Sequence, residues 1–272
     1  MRRAAESAKR DVELLLGPLL DDPAGVAFLC DLDGTLAPIV ERAEDAAIPE
    51  RARAALQALA RRYPLCAIVS GRRAANAREI VGLPELTYVG IHGFELLRPG
   101  ERNASAAPAL RGREEDARSF AERIAAGELD AVGIRVEDKG PIVALHWRGA
   151  SDADAAEAVI AQLAATARGQ GLVTHLGRKV LELRPAVAID KGVAVEALIA
   201  ESGARAALYA GDDRTDLDAF RALARLREEG ALEAAVRIGV RSAEGPDELG
   251  RESDLLVEGP EGLLPLIEAA AG

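Results

Sequence analysis

A chain of 272 residues, 49% hydrophobic but only 3% aromatic, can bury one large domain or two modest ones around a mostly aliphatic core. Its 34 Lys and Arg against 45 Asp and Glu leave a net charge of −11, which argues against nucleic acid or an anionic membrane as partner. A small anionic substrate stays open, because local cations or a metal reverse the sign inside a cleft.

The N-terminal stretch MRRAAESAKRDVELLLGPLL has no uninterrupted apolar signal region and reads as an amphipathic helix of a cytoplasmic protein. No apolar run approaches the ~20 residues of a membrane span. Apolar runs then alternate with helical patterns. Residues 26–31 read as a buried strand, 50–62 as a helix, 65–70 as a strand, 72–82 as a helix and 86–91 as a strand. The two cysteines, Cys30 and Cys66, fall in these strand runs and read as small core residues.

The middle of the chain has another rhythm. Residues 99–111 are rich in Pro, Ala, Asn and Ser and read as a linker. A helix over 114–126 follows, then a hairpin of 133–138 and 142–148 across Lys139-Gly140-Pro141. A helix over 152–168 leads to a second strand pair, 172–176 and 179–184. This αββαββ order predicts a small α+β domain over 100–185, inserted into a larger one made of 1–99 and 186–272.

After the insert the alternation resumes. A helix is expected over 192–201, a strand over 206–210, a helix over 216–229, strands over 236–240 and 254–257, and a helix over 262–271. The fold class is therefore α/β: a Rossmann-like core with a mostly parallel sheet and helices on both faces, plus the inserted α+β domain.

Four motifs share one place, the C-terminal end of a predicted strand or the helix start that follows. They are Asp31-Leu32-Asp33-Gly34-Thr35, Ser70-Gly71-Arg72, Lys191-Gly192 and Gly211-Asp212-Asp213-Arg214-Thr215-Asp216. In a doubly wound sheet these ends converge on one crevice. Taken singly, Asp33-Gly34 also reads as a turn, Ser70 as a helix cap, Lys191 as a solvated cation and Asp212-Asp213 as a capping cluster. Together they supply what phosphoryl transfer requires. One carboxylate attacks phosphorus and a second moves the proton of the leaving oxygen. Further carboxylates suit Mg²⁺, and a hydroxyl, backbone N–H groups and a lysine hold the phosphoryl oxygens.

In this order the motifs resemble the haloacid dehalogenase superfamily of phosphotransferases. The resemblance implies Asp31 as nucleophile and Asp33 as general acid/base. It implies Mg²⁺ on the Asp31 carboxylate, the Asp33 carbonyl and Asp212, supported by Asp213 and Asp216. Ser70 and Lys191 would bind the transferring group, with Thr35, Gly71 and Arg72 beside them. An Asp two residues after the nucleophile favours phosphatase chemistry, because a leaving alkoxide needs a proton and a halide does not.

More narrowly, the chain is similar to trehalose-6-phosphate phosphatases in residues 31–40, Gly90-Ile91-His92-Gly93, Val136-Glu137-Asp138-Lys139, residues 177–185 and residues 211–220. That resemblance implies an inserted cap whose Lys139, Lys179 and Glu182, with Glu137, meet the sugar hydroxyls. His92 ends a predicted strand and is a candidate for lining the crevice. His146, His175 and Trp147 read as sheet and packing residues. One departure is Leu217, where the family usually has an acidic residue; it is expected to face away from the metal. The N-terminal extension of fungal and plant members and a fused synthase domain are not seen, so a short stand-alone enzyme is expected; the charge balance and acidic helices expose no obvious partner surface, and a monomer is the default expectation. Alternative readings are a phosphatase of sucrose 6-phosphate or a mannosyl phosphate with the same architecture, or a non-catalytic phospho-receiver.

Overall fold

The computed structural model describes residues 16–17, 22–40, 42–124, 126–177, 179–242 and 245–272, so most of the expected N-terminal helix lies outside the described residues. The chain forms two compact units, Met1–Ser105 with Ile189–Gly272, and Ala106–Ala188.

The first unit is built on an eight-stranded sheet. Its strands are β1 (Val26–Cys30), β2 (Leu65–Val69), β3 (Thr87–Gly90), β4 (Glu95–Leu97), β5 (Ser105–Ala106), β10 (Ala206–Gly211), β11 (Ala234–Arg241) and β12 (Leu255–Glu258), in the order β12-β11-β10-β1-β2-β3-β4-β5. From β12 to β3 every pairing is parallel, and β4 runs antiparallel to β3. Cys30 is level with Ala210 on one side and with Ile68 on the other, so β10, β1 and β2 end at one height.

Strand alternation sends successive side chains to opposite faces. Phe28 and Cys30 of β1 join a core with Leu56 and Leu59 of α1 (Glu50–Arg62), Ala74 and Ala77 of α2 (Ala74–Val81) and Leu263 of the C-terminal helix Gly259–Ala271. Ala27 and Leu29 join a second core with residues of the helices Lys191–Ser202 and Asp216–Glu228. Each fully buried Leu, Val, Ile or Phe contributes roughly 1.5–3 kcal/mol, so the two faces together hold the sheet in place. Both cysteines are buried in the first of these cores, and burial pushes the Cys66 thiol up to about 12. Leu217 is buried in the second core with Phe220 and Leu223.

The second unit is an antiparallel sheet of β6 (Arg135–Asp138), β7 (Val143–His146), β8 (Leu172–Gly177) and β9 (Val180–Pro185), ordered β6-β7-β9-β8. Its core joins Val143, Leu145, Leu181 and Leu183 to Phe120 of α3 (Asp116–Glu122) and Ile160 of α5 (Ala153–Gly169). Between them, α4 covers Ala126–Ala131.

Three features differ from the sequence expectation. The helix expected over 114–126 is two pieces, because the N–H groups of Arg123 and Ile124 bond back three residues and tighten the chain out of the helix. The strand β5 extends the sheet where a linker was expected over 99–111, and β4 stands just before that segment, where no element was expected; with two and three residues they are too short to show a period. A five-residue helix, α8 (Glu248–Glu252), stands in the segment before β12; the intervening helices α6 (Lys191–Ser202) and α7 (Asp216–Glu228) and the last one, α9 (Gly259–Ala271), fall close to expectation.

The chain turns sharply after β1. Gly34 has φ +85°, and a Cβ there would stand 2.1 Å from an Asp212 carboxylate oxygen. Both the left-handed backbone and the close approach demand glycine. Gly34→Ala should cost roughly 2–4 kcal/mol in urea unfolding, from the strained φ and the displaced carboxylate. A stability within 0.5 kcal/mol of the parent, on the order of an ordinary surface change, would contradict this account.

Candidate active site

The strand order reverses direction at β1: β2 lies to one side and β10 to the other. Open α/β sheets form their ligand crevice at such a switch point. Here Asp31 follows β1, Ser70 follows β2, and Asp212 and Asp213 follow β10. The Asp31 N–H donates to the Ala210 carbonyl at 2.9 Å, which ties the first motif to the fourth. Lys191 is the first residue of α6, whose N-cap Asp190 accepts from the Val193 N–H.

A buried ionic chain runs through the site. The Lys191 ammonium is 1% exposed and lies 2.9 Å from Asp31 Oδ1 and 2.8 Å from Asp216 Oδ1. Burial opposes its charge, but Asp216 and Asp31 outweigh that and push its pKa well up. It stays an ammonium. Burial pushes the Asp31 carboxyl well up despite the pull of Lys191. Asp212 is pushed up to about 7 by burial and by Asp216, against the Thr35 hydroxyl that donates to its Oδ1 at 3.0 Å. Asp213 goes the other way. Burial raises it, but Lys191 and the Thr215 hydrogen bonds outweigh that.

Asp216 is the framework of this chain. Its Oδ1 accepts from Lys191 and from the Tyr209 hydroxyl, at 2.8 and 2.7 Å. Its Oδ2 accepts the Asp212 and Asp213 N–H groups, at 2.9 and 3.0 Å. Gly211 makes room for it, since a Cβ there would stand 2.2 Å from the Asp216 carboxyl carbon.

Asp33 points elsewhere. Arg72 holds it with two hydrogen bonds, Nε to Oδ2 at 2.6 Å and Nη2 to Oδ1 at 2.7 Å. The guanidinium is held in turn by the Ala43 carbonyl and Asn76. This fork matches a carboxylate edge and leaves Asp33 one orientation. Ser70 is buried, and its Oγ accepts the Arg72 N–H, which fixes the turn that carries Arg72. The His92 N–H donates to the Ser70 carbonyl, and its ring stands 2.7 Å from where a Gly71 Cβ would be. Ile91 and His92 both have positive φ, 51° and 55°, a strained pair that places this ring.

One oxygen from each of Asp31, Asp212 and Asp216 lies within 4.8 Å of the other two. Hard carboxylate oxygens crowded closely enough to raise one another's pKa fit a hard divalent cation. Since Asp216 spends both oxygens on four donors, Asp31 and Asp212 are the carboxylates available to a metal.

Every first-unit residue expected at the site is thus drawn together: Asp31, Asp33, Thr35, Ser70, Gly71, Arg72, His92, Lys191, Asp212 and Asp213.

The second unit divides the remaining candidates. On the sheet face away from Leu181 and Leu183, Glu137, Ala144 and Glu182 stand in register across β6, β7 and β9. Lys139 reaches Glu182 at 3.2 Å and Glu137 at 3.9 Å. His146 bonds Glu137 at 2.8 Å, and Arg184 bonds Glu182. Ala144, fully buried, stands between the two carboxylates. Lys179 is not in this group. It precedes β9 with a positive φ of 62°, outside the strand's alternation, and its side chain pairs with Glu157 of α5 at 2.9 Å and borders a cavity of about 530 Å³ with Trp147. His146, Arg184 and Tyr209 were not singled out from sequence as polar partners. The period-two alternation of β7 and β9 could have flagged His146 and Arg184, which share a face with Glu182.

The trehalose-phosphatase family model matches residues 29–253. A trehalose-phosphate phosphatase of Mycobacterium marinum is 40% identical over 205 residues, 72% of this chain and 51% of that protein. A probable trehalose-phosphate phosphatase of Oryza sativa is 39% identical over 236 residues, 76% of this chain and 61% of its own length. The chain also matches 15% of an uncharacterised glycosyl hydrolase of Mycobacterium tuberculosis at 40% identity over 207 residues, 72% of this chain. It therefore spans between a seventh and three fifths of these relatives. Among solved structures, the C-terminal domain of the C. albicans trehalose-6-phosphate phosphatase superposes with a TM-score of 0.70 at 22% identity, over 96% of both chains. A haloacid dehalogenase-like hydrolase of Bacteroides thetaiotaomicron gives 0.64 at 15% identity, over 90% of this chain and 99% of that one. With a family match across most of its length, this chain belongs to the trehalose-phosphatase family and has the haloacid dehalogenase-like fold.

Proposed function

We propose that the chain is a Mg²⁺-dependent phosphatase that hydrolyses trehalose 6-phosphate to trehalose and phosphate through an aspartyl-phosphate on Asp31. The observation that carries this reading is the buried ammonium of Lys191 between Asp31 and Asp216, with Asp33 two residues from the nucleophile and held by Arg72. The names of the M. marinum and O. sativa relatives support the substrate.

In the first displacement an Asp31 oxygen attacks phosphorus while the bond from phosphorus to the sugar oxygen breaks, and Asp33 gives that oxygen a proton. In the second, Asp33 takes a proton from water, whose oxygen attacks phosphorus and frees Asp31. Lys191 and the Ser70-Gly71-Arg72 turn face the phosphoryl oxygens with positive charge, a hydroxyl and N–H groups. The Asp31 and Asp212 carboxylates and the Asp33 carbonyl would hold Mg²⁺, with Asp213 supporting it, and the ion supplies charge neutralisation for the phosphoryl oxygens.

In the same reading the first unit is the catalytic core and the second the cap. Glu137, Lys139 and Glu182 recognise the sugar, because two carboxylates and an ammonium on one sheet face offer the acceptors and donors that suit a polyhydroxylated ligand. The protein acts as a monomer in the cytoplasm.

Asp31→Asn should reduce turnover at least ~10³-fold while the fold and divalent-ion binding persist. Near-parental activity in that variant would rule out Asp31 as nucleophile. Glu182→Ala should lower kcat/KM on trehalose 6-phosphate by roughly 10- to 100-fold and that on p-nitrophenyl phosphate by less than about threefold. Equal losses would remove Glu182 from sugar recognition, and a panel with sucrose 6-phosphate and mannosyl phosphates ranks the sugars.

Asp212 ties stability to pH and metal. Its folded pKa of about 7 is raised above the unfolded value, so its contribution is present at low pH and is lost as pH rises from about 4 to about 7. The melting temperature of the metal-free protein should fall between about pH 5 and about pH 8, and Mg²⁺ should recover most of the loss at the upper end. A metal-free melting temperature that climbs through this window would contradict the crowding of the site.

A further inference from the structure

Tyr209 lies near the end of β10, fully buried, in an apolar run that reads as core. Its ring does pack there: it meets Phe220 of α7 edge to face, with centroids 6.0 Å apart. The hydroxyl has a second task. It donates to Asp216 Oδ1 at 2.7 Å, the oxygen that also accepts from Lys191 at 2.8 Å. Burial and Asp216 push the phenol pKa well up, so the group stays a donor.

Four donors define the pose of Asp216, and Tyr209 is one of the two on the oxygen facing Lys191. A lysine ammonium is a point charge on a flexible stem, with three donors that rotate freely. It stays 2.9 Å from Asp31 only while its other anchor is fixed. With the hydroxyl removed, Asp216 Oδ1 is free to follow Lys191, and the ammonium gains a second arrangement away from Asp31.

We propose that Tyr209 is a positioning residue of the active site, fixing Lys191 against Asp31 through Asp216 without touching the substrate. This rests on the phosphatase reading, in which Asp31 is the nucleophile. Phenylalanine at 209 keeps the ring and its contact with Phe220 and deletes one donor to one carboxylate oxygen. The change is therefore small for packing and direct for the ionic chain.

The experiment is steady-state kinetics of the full chain with Mg²⁺, on p-nitrophenyl phosphate and on trehalose 6-phosphate. Tyr209→Phe should lower kcat about tenfold on both substrates and leave KM within about twofold, the pattern of a group that acts on the reacting centre. Phe220→Leu removes the ring contact and keeps the hydroxyl, so it should lower the melting temperature and leave kcat within about twofold. The double variant Tyr209→Phe/Asp216→Asn should be no slower than Asp216→Asn alone, since the hydroxyl acts through that carboxylate. Parental kcat in Tyr209→Phe overturns the proposal, as does an equal kcat loss in Phe220→Leu, which would assign the effect to packing. If the parent chain hydrolyses neither ester, the phosphatase reading fails by itself. The positioning claim is then read from the Lys191 side-chain ammonium resonance, assigned with Lys191→Arg: a shift in Tyr209→Phe upholds it and an unmoved resonance overturns it.

Discussion

The rest of the site depends on one buried ammonium. Lys191 carries a charge where water does not reach, so its two carboxylates must stay where they are. Removing one partner of such a pair leaves an uncompensated buried charge, which costs far more than a surface ion pair contributes. The surroundings follow from that constraint. Asp216 is held by two N–H groups of the turn after β10 and by Tyr209, and Gly211 leaves the space its carboxylate occupies. The turn that carries Asp212 and Asp213 is therefore shaped by the same residue that anchors the lysine.

The sheet makes this possible by registering three strand ends. Because Cys30 is level with both Ala210 and Ile68, the residues that follow β10, β1 and β2 emerge side by side. A one-residue slip in a strand would send its alternate side chains to the wrong face and separate Asp31 from Asp216. The apolar cores on both faces enforce that register, so packing far from the crevice determines distances within it.

Much of this was legible in the sequence, and the rest was hidden for identifiable reasons. Asp31, Asp33, Ser70, Lys191 and Asp212 could be placed because each follows an apolar run or opens a helix, and turn chemistry such as Asp33-Gly34 is local. Gly34 was readable as a turn, but its closeness to Asp212 joins positions far apart in the chain. Tyr209 was hidden because a tyrosine inside an apolar strand looks the same whether its hydroxyl is idle or bonded. Lys179 shows the opposite failure. Its φ of 62° takes it out of the alternation of the strand it precedes, and its side chain turns to Glu157 of α5, whereas the family resemblance grouped it with Glu182. The strands β4 and β5 are too short for a period, yet Glu95 of β4 accepts the Ala74 N–H and so holds the start of α2, just after the Arg72 turn.

Under the proposed function, charge explains how an acidic protein would serve an anionic substrate and why it would do so conditionally. Five carboxylates, on Asp31, Asp33, Asp212, Asp213 and Asp216, stand with two cations, Lys191 and Arg72. Burial first, and the neighbouring carboxylates after it, raise the pKa values of Asp31 and Asp212, because charge is costly and like charges repel in a poorly hydrated crevice. Protons or a divalent cation are the two ways to relieve it, and only the cation leaves Asp31 ionised and able to attack. A phosphate dianion entering without either meets net negative charge. In that reading the arrangement that would make Asp31 a nucleophile also makes it wait for a metal, and Lys191, fixed by Asp216 and Tyr209, is the positive charge an incoming phosphoryl group would meet.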